Sequence, residues 1–322
     1  MSEFHVEVTR VRNVQKHPNA DTLSIAEVNG YPVIFRTGEY EEGGLAVHVP
    51  IDSIVPDRPE WAFLEGHRRI KAKKLRGIFS MGMLTNADPS WVEGQNVQAE
   101  LGIEKWEPAM PSLVTNTENE ADPGFLPVFT DIEGLRRRRD VLQDGEEVVL
   151  TEKIHGANAR FVYQDGRLWV GSHHQIKKFD ERNMWWKVAI EIGLEERLAK
   201  VPGIAVYGEV YGQVQDLKYG HPTGAKLILF DALDTRTGRY LDYDAFKAVA
   251  RGLDLETVPE LYRGPWLGFD AMTAYCEGKT TMGADHVREG YVVRPVQERW
   301  HHHIGRVIFK MIGEGYMLRK AA

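Results

Sequence analysis

Short runs of alternating apolar and polar residues dominate the N-terminal third of this chain, and they admit few folds. FHVEVTRV (4–11) keeps period two, LSIAEVNGYPVIFR (23–36) sets Asn29-Gly30 between two such runs, and LAVHVP (45–50) continues the pattern. Successive side chains of a strand point to opposite faces, so alternation marks a half-buried strand. Asn-Gly between alternating runs is a tight-hairpin signal. Closely spaced strands with glycine and proline between them suggest a small barrel.

Beyond residue 124 the pattern becomes mixed. DGEEVVLTEK (144–153) ends in a strand, ANARFVYQ and RLWVGS flank an Asp165-Gly166 turn, and 181–200 has helical periodicity. Strands recur near 204–210, 226–231, 290–295 and 306–311, with helices expected over 241–252 and 268–278. Strands and helices interleave without regular βαβ repetition, which favours an α+β class. WEPAMPSLVTNTENEADPG (106–124) has no periodicity and reads as a connection. The expected division is therefore a barrel over 1–104, a linker over 105–124 and a second domain over 125–322.

Composition narrows the function classes. A single cysteine, Cys276, excludes an internal disulfide framework and a cysteine-rich zinc site. No apolar run approaches the ~20 residues of a membrane span, and MSEFHVEVTR carries no signal-type apolar segment, so no membrane partner and a cytoplasmic location are the default expectations. A net charge of −7 argues against coating nucleic acid non-specifically, but HRRIKAKKLR (67–76) and Arg136 to Arg139 are local basic clusters. The histidines at 301–303 are consecutive, so on a strand they would point to opposite faces; a solvated hairpin is favoured over a zinc site.

Two stretches of the first domain, HPNADTLSIAEVNG and KLRGIFSMGML, resemble OB-type modules attached to tRNA synthetases and tRNA-binding proteins. In the second domain, four segments occur in order: TEKIHGAN (151–158), YGEVYG (207–212), EGYVVRP (289–295) and FKMIGEGY (309–316). This ordered set resembles the covalent lysyl-nucleotidyltransferase superfamily of polynucleotide ligases and mRNA capping enzymes, with EKIHGAN especially similar to RNA ligases. LILFDALD (227–234) falls where that family has a further motif. The resemblance implies an N-terminal OB-like barrel followed by an ATP-grasp-like, DNA/RNA-ligase-type catalytic domain of mainly antiparallel sheets with flanking helices.

It also implies site residues. Lys153 matches the nucleophile that takes AMP from ATP, which requires a neutral amine and hence a pKa lowered by nearby positive charge or burial. Lys310 matches the lysine that contacts the α-phosphate, and Glu209 and Glu289 match carboxylates that bind ribose or a divalent metal, Mg²⁺ or Mn²⁺. Tyr207 matches a purine-stacking position, Asn158 an asparagine of the strand-joining steps, and Glu152 is grouped with the nucleotide-contacting residues. Gly156 permits the turn that presents Lys153. Arg68, Arg69, Lys71, Lys73, Lys74 and Arg76 are the candidate nucleic-acid contacts of the first domain.

The pattern departs from the family in three places: His155 stands where many members have aspartate, Ser172-His173-His174 where relatives often have an arginine, and Ile312 where a second lysine is usual. The activity implied is joining of RNA 3′-hydroxyl and 5′-phosphate ends in RNA repair, with a nick in a duplex and bridged single strands both open as substrates. The alternatives are a capping-type guanylyltransferase and a non-catalytic RNA- or tRNA-binding protein.

Overall fold

The computed structural model describes residues 4–106, 118–221 and 223–321. Two compact units emerge: residues 1–109 together with 314–322, and residues 110–313.

In the first unit, Glu7–Arg10, Leu45–Val49 and Met83–Asn86 form one antiparallel sheet, and Arg12–Lys16, Leu23–Val28 and Tyr31–Arg36 another. Asn29 and Gly30 have φ of 52° and 79°, the two positive values that a tight hairpin demands, and Val28 pairs with Tyr31 across them. Val6, Val8, Val47, Val49, Trp61 and Val97 fill one core, while Val11, Val28, Val33 and Phe35 fill a second. Lys73–Leu75 pairs with Ile78–Ser80, carrying part of the basic stretch on an exposed hairpin. The C-terminal helix Glu314–Ala321 lies beside Lys73–Leu75. Of the expected linker, residues 107–117 lie outside the described residues; at its ends Glu104–Lys105 and Asn119–Glu120 are paired strands.

The second unit contains two sheets. A seven-stranded antiparallel sheet runs Asn119–Glu120, Ile176–Lys177, Arg167–Ser172, Ala157–Gln164, Ile204–Gly212, Ala225–Asp234 and Arg239–Tyr240. A five-stranded sheet runs Glu133–Gly134, Phe309–Ile312, Gly290–Pro295, Glu147–Glu152 and Glu260–Pro265. Helices cover the outer face of the larger sheet, where Trp185, Leu194, Leu198 and Phe246 pack on Phe161, Val206 and Val210. The helical pattern over 181–200 resolves into Met184–Glu191 and Leu194–Leu198, parted at Gly193, whose φ of 60° leaves the helical region. Asn183 caps the first of them by accepting from the backbone of Trp185 and Trp186.

Between the sheets, Leu126, Phe129, Val162, Tyr207, Leu233 and Ile308 form an apolar layer. Beside it lies a buried ionic network. Asp231 of the larger sheet accepts from Arg294 of the smaller at 2.8 Å and from Arg306 at 2.6 Å, and Arg306 also pairs with Glu298 at 2.7 Å. A carboxylate in such a place is tolerable only because both arginines meet it directly.

Candidate active site

Lys153 stands where the chain leaves one sheet for the other. The Glu147–Glu152 strand ends, Lys153 to Gly156 turn, and Ala157–Gln164 begins in the second sheet. Lys153 N donates to Gly290 O at 3.0 Å, which pins the first residue of the turn. Gly156 is required sterically: a Cβ there would lie 2.3 Å from Val210 O and 3.0 Å from Glu209 Cγ.

Two carboxylates meet the lysine. Glu289, just before the Gly290–Pro295 strand, places Oε1 2.9 Å from Lys153 Nζ, and Oε2 3.5 Å from His155 Nδ1. Glu209 projects from the Ile204–Gly212 strand directly opposite Asn158. Burial alone would push the carboxyl of Glu289 up, but the charges of Lys153 and His155 overcome it and hold the group well below its usual range. Glu209 moves the other way: burial and the neighbouring Glu289 raise it despite Lys153. Two like charges beside one cation divide in this manner, one ionised and the other disposed to keep its proton.

Burial lowers the pKa of Lys153, yet Glu289 and Glu209 more than offset this and raise it above the ordinary lysine value. The depressed pKa anticipated from the sequence is therefore not the property of the chain by itself. The two carboxylates hold the ammonium form until something competes for them. Among the described residues, Oδ1 of Asn158 is a buried acceptor without a hydrogen-bond partner, and Oε2 of Glu289 has only its 3.5 Å contact with His155 Nδ1. Hard carboxylate oxygens with unspent lone pairs suit Mg²⁺ or Mn²⁺, which use one or two protein carboxylates and take their remaining ligands from water and phosphate.

Lys310 lies in the adjoining row of the smaller sheet, where Thr151, Val292 and Lys310 are cross-strand neighbours on three consecutive strands. Their alternating partners Tyr291, Phe309 and Met311 point into the opposite core, so Lys310 is on the same face as the turn. Ile312 pairs with Gly290, leaving an apolar residue at the family's second lysine position.

Three assignments from the sequence are corrected. Tyr207 is fully buried, its hydroxyl donates to Pro127 O at 3.0 Å, and Phe129 and Tyr240 surround its ring; no face is open for a purine. Phe230, on the neighbouring strand, is partly buried and meets Phe129 edge-on. Glu152 is turned away from Lys153, and its carboxylate is committed to the Thr280 hydroxyl and to the backbone and hydroxyl of Thr281, at 2.7 and 2.6 Å for the latter two. It braces the strand and offers no side chain to a nucleotide. Arg69 donates to Asp52 through Nε and a terminal nitrogen at 3.1 and 2.6 Å and stacks 3.3 Å over Trp106, so it holds the first unit together. Arg68, Lys73, Lys74 and Arg76 are exposed, and Lys71 is half-buried.

Downstream of Ser172-His173-His174, where relatives often have an arginine, the next two lysines are already engaged. Lys177 Nζ donates to Asn119 and Gln175, both at 2.9 Å, and Lys178 pairs with Glu118. His301 ends one strand of a short hairpin, paired with Gly305, and His302 and His303 lie in its turn.

Comparisons with known proteins show the family and the fold. The family model for RNA ligase matches residues 146–312, and the chain belongs to the RNA ligase family. An OB-fold domain model matches residues 5–87. Among solved structures, a lysine-to-alanine variant of Naegleria gruberi RNA ligase with ATP and Mn is 20% identical, with a TM-score of 0.86 over 98% of this chain and 99% of that one. The same ligase with pyrophosphate is 21% identical, with a TM-score of 0.85 over 99% of each chain. A variant with AMP and Mn is 20% identical, with a TM-score of 0.85 over 98% and 99%. A search of curated proteins found no match. The fold is thus an N-terminal OB-fold module with a ligase-type catalytic domain of mainly antiparallel sheets, as the resemblance implied.

Proposed function

We propose that the chain is an ATP-dependent RNA ligase joining 3′-hydroxyl to 5′-phosphate ends, with repair of broken RNA in the cytoplasm as its setting. The observation that carries this reading is the buried set at the sheet crossover: Lys153 Nζ at 2.9 Å from Glu289, with Glu209 close enough to shift the lysine further. Lysine is the one nucleophile among them, and it is held charged until its carboxylates are drawn elsewhere. The N. gruberi ligase, solved with ATP and Mn, with AMP and Mn and with pyrophosphate, supports the same choice of cosubstrate and metal here.

In this reading neutral Lys153 Nζ attacks the α-phosphorus of ATP; the P–N bond forms, the bond to the β-phosphate oxygen breaks, and pyrophosphate leaves. A 5′-phosphate oxygen of the RNA then attacks the same phosphorus, returning the lysine and leaving AMP on the strand end. Finally the 3′-hydroxyl oxygen attacks the 5′-phosphorus, its proton is lost, and AMP departs. Lys310 supplies positive charge toward the α-phosphate, Asn158 presents its free amide oxygen, and Glu209 and Glu289 would hold Mg²⁺ or Mn²⁺. That cation, when bound, neutralises phosphate charge and competes with Lys153 for the carboxylates. Arg68, Lys71, Lys73, Lys74 and Arg76 serve the RNA backbone, with Arg69 supporting them structurally.

The test is labelling with two nucleotides. Incubated separately with α-labelled ATP and GTP plus Mg²⁺, the protein should acquire acid-stable label from ATP alone and release it on addition of a nicked RNA duplex. Label from GTP alone would favour a capping-type guanylyltransferase, and label from neither would favour a binding protein.

A further inference from the structure

Three side chains from one loop fasten the turn that carries Lys153. The loop leaves the Ile204–Gly212 strand and includes VQDLKYG (214–220). Gln215 Nε2 donates to Gly156 O, His155 N donates to the Tyr219 hydroxyl at 2.7 Å, and Asp216 Oδ1 lies 2.6 Å from His155 Nε2. The loop is itself anchored, since Val214, Leu217 and Tyr219 are buried and the Tyr219 ring meets Tyr211 and His286 edge-on. Tyr219 holds a left-handed φ of 49°, which a bulky residue keeps only where its surroundings over-determine it. Asp216, by contrast, is half exposed, so burial does not explain its place.

A carboxylate accepts hydrogen bonds, so Nε2 of His155 donates to Asp216. That fixes the imidazole with Nδ1 facing Glu289 Oε2 at 3.5 Å, while Oε1 of the same carboxylate meets Lys153 Nζ at 2.9 Å. The chain of contact runs from Asp216 through His155 and Glu289 to the lysine.

We propose that Asp216 is a positioning residue for lysine nucleotidylation: it orients His155, which confines Glu289, which in turn places Lys153, and the 214–220 loop acts as a strap over the turn. The proposal rests on the reading of Lys153 as nucleophile. The strap adds to the Lys153 N–Gly290 O hydrogen bond in holding the turn that links the two sheets. Group positioning of this kind commonly contributes 10- to 100-fold to ligand affinity or activity where it has been measured around metal sites, roughly the scale expected here.

The experiment compares full-length wild type with Asp216→Ala, Asp216→Asn, His155→Ala and the Asp216→Ala/His155→Ala double variant. The rate of covalent labelling from ATP is measured across ATP concentrations, with thermal melting alongside. Asp216→Ala should slow maximal labelling about 10- to 100-fold with KM for ATP and melting temperature little changed. Asp216→Asn should recover much of the rate, because an amide oxygen still accepts from Nε2. The double variant should be no slower than His155→Ala, as for residues acting through one another. Wild-type labelling by Asp216→Ala, or multiplicative losses in the double variant, would overturn the proposal. So would a lowered melting temperature with KM and rate impaired together, which would assign the carboxylate to fold maintenance. Absence of label in the wild type would instead overturn the nucleotidyl-transfer reading.

Discussion

Glu209 and Glu289 face one lysine yet shift in opposite directions, and that asymmetry has a measurable consequence. Because Glu209 is raised, it tends to keep a proton that a cation must displace. Binding of Mn²⁺ should therefore release protons and tighten as pH rises, until Glu209 is ionised without the metal. Calorimetric titration in two buffers of different ionisation enthalpy should detect that release in the wild type and less of it in Glu209→Gln; equal release would show that the proton comes from elsewhere. Glu289→Gln should lose on the order of 100-fold or more in labelling rate, since an amide cannot supply the charge that meets Lys153 and a cation. Lys310→Ala should be similarly slow and Lys310→Arg partly recovered in the same assay. The order of the motifs grouped Lys153, Glu209 and Glu289, and the structure brings the three together at one turn. Tyr207, Glu152 and Arg69 misled because residue type does not reveal a partner already in place: Pro127 and Phe129, Thr280 and Thr281, Asp52 and Trp106.

Strand positions were readable wherever period two or a hairpin dipeptide was strong. The Val28–Tyr31 hairpin and the antiparallel pairing of Ala157–Gln164 with Arg167–Ser172 follow directly from Asn29-Gly30 and Asp165-Gly166. What joins the two sheets was not readable. LILFDALD is similar to a family motif, but nothing in it announces that Asp231 meets Arg294 and Arg306, far downstream in the chain. Removing the shared carboxylate leaves two buried guanidiniums facing each other, so Asp231→Ala should destabilise the catalytic unit by about 3–5 kcal/mol. Thermal or urea unfolding checks this, and a drop below ~1 kcal/mol would mean the network is dispensable. Gly156→Ala should perturb the turn more locally: its Cβ would lie 2.3 Å from a backbone carbonyl, so relief requires moving the strand or the nucleophile. Labelling should fall more than stability does.

The proposed function assigns chemistry and substrate grip to different units of the molecule. With a net charge of −7, nucleic-acid affinity has to be gained locally, and the exposed Arg68, Lys73, Lys74 and Arg76 are the candidates for it. Neutralising these four with Lys71 should spare covalent labelling but weaken sealing. The salt dependence of RNA binding should become shallower by about 0.7–0.9 in logarithmic slope for each phosphate no longer neutralised. Arg69→Ala should behave differently, lowering the melting temperature through Asp52 and Trp106. The proposed function rests on one bond, between Nζ of Lys153 and the α-phosphorus of ATP. Protein incubated with ATP and Mg²⁺, digested under conditions that preserve phosphoramidates and mapped by mass spectrometry, should carry AMP on the peptide containing Lys153, with no adduct in Lys153→Ala. AMP on another residue, or undiminished adduct in that variant, would contradict the account.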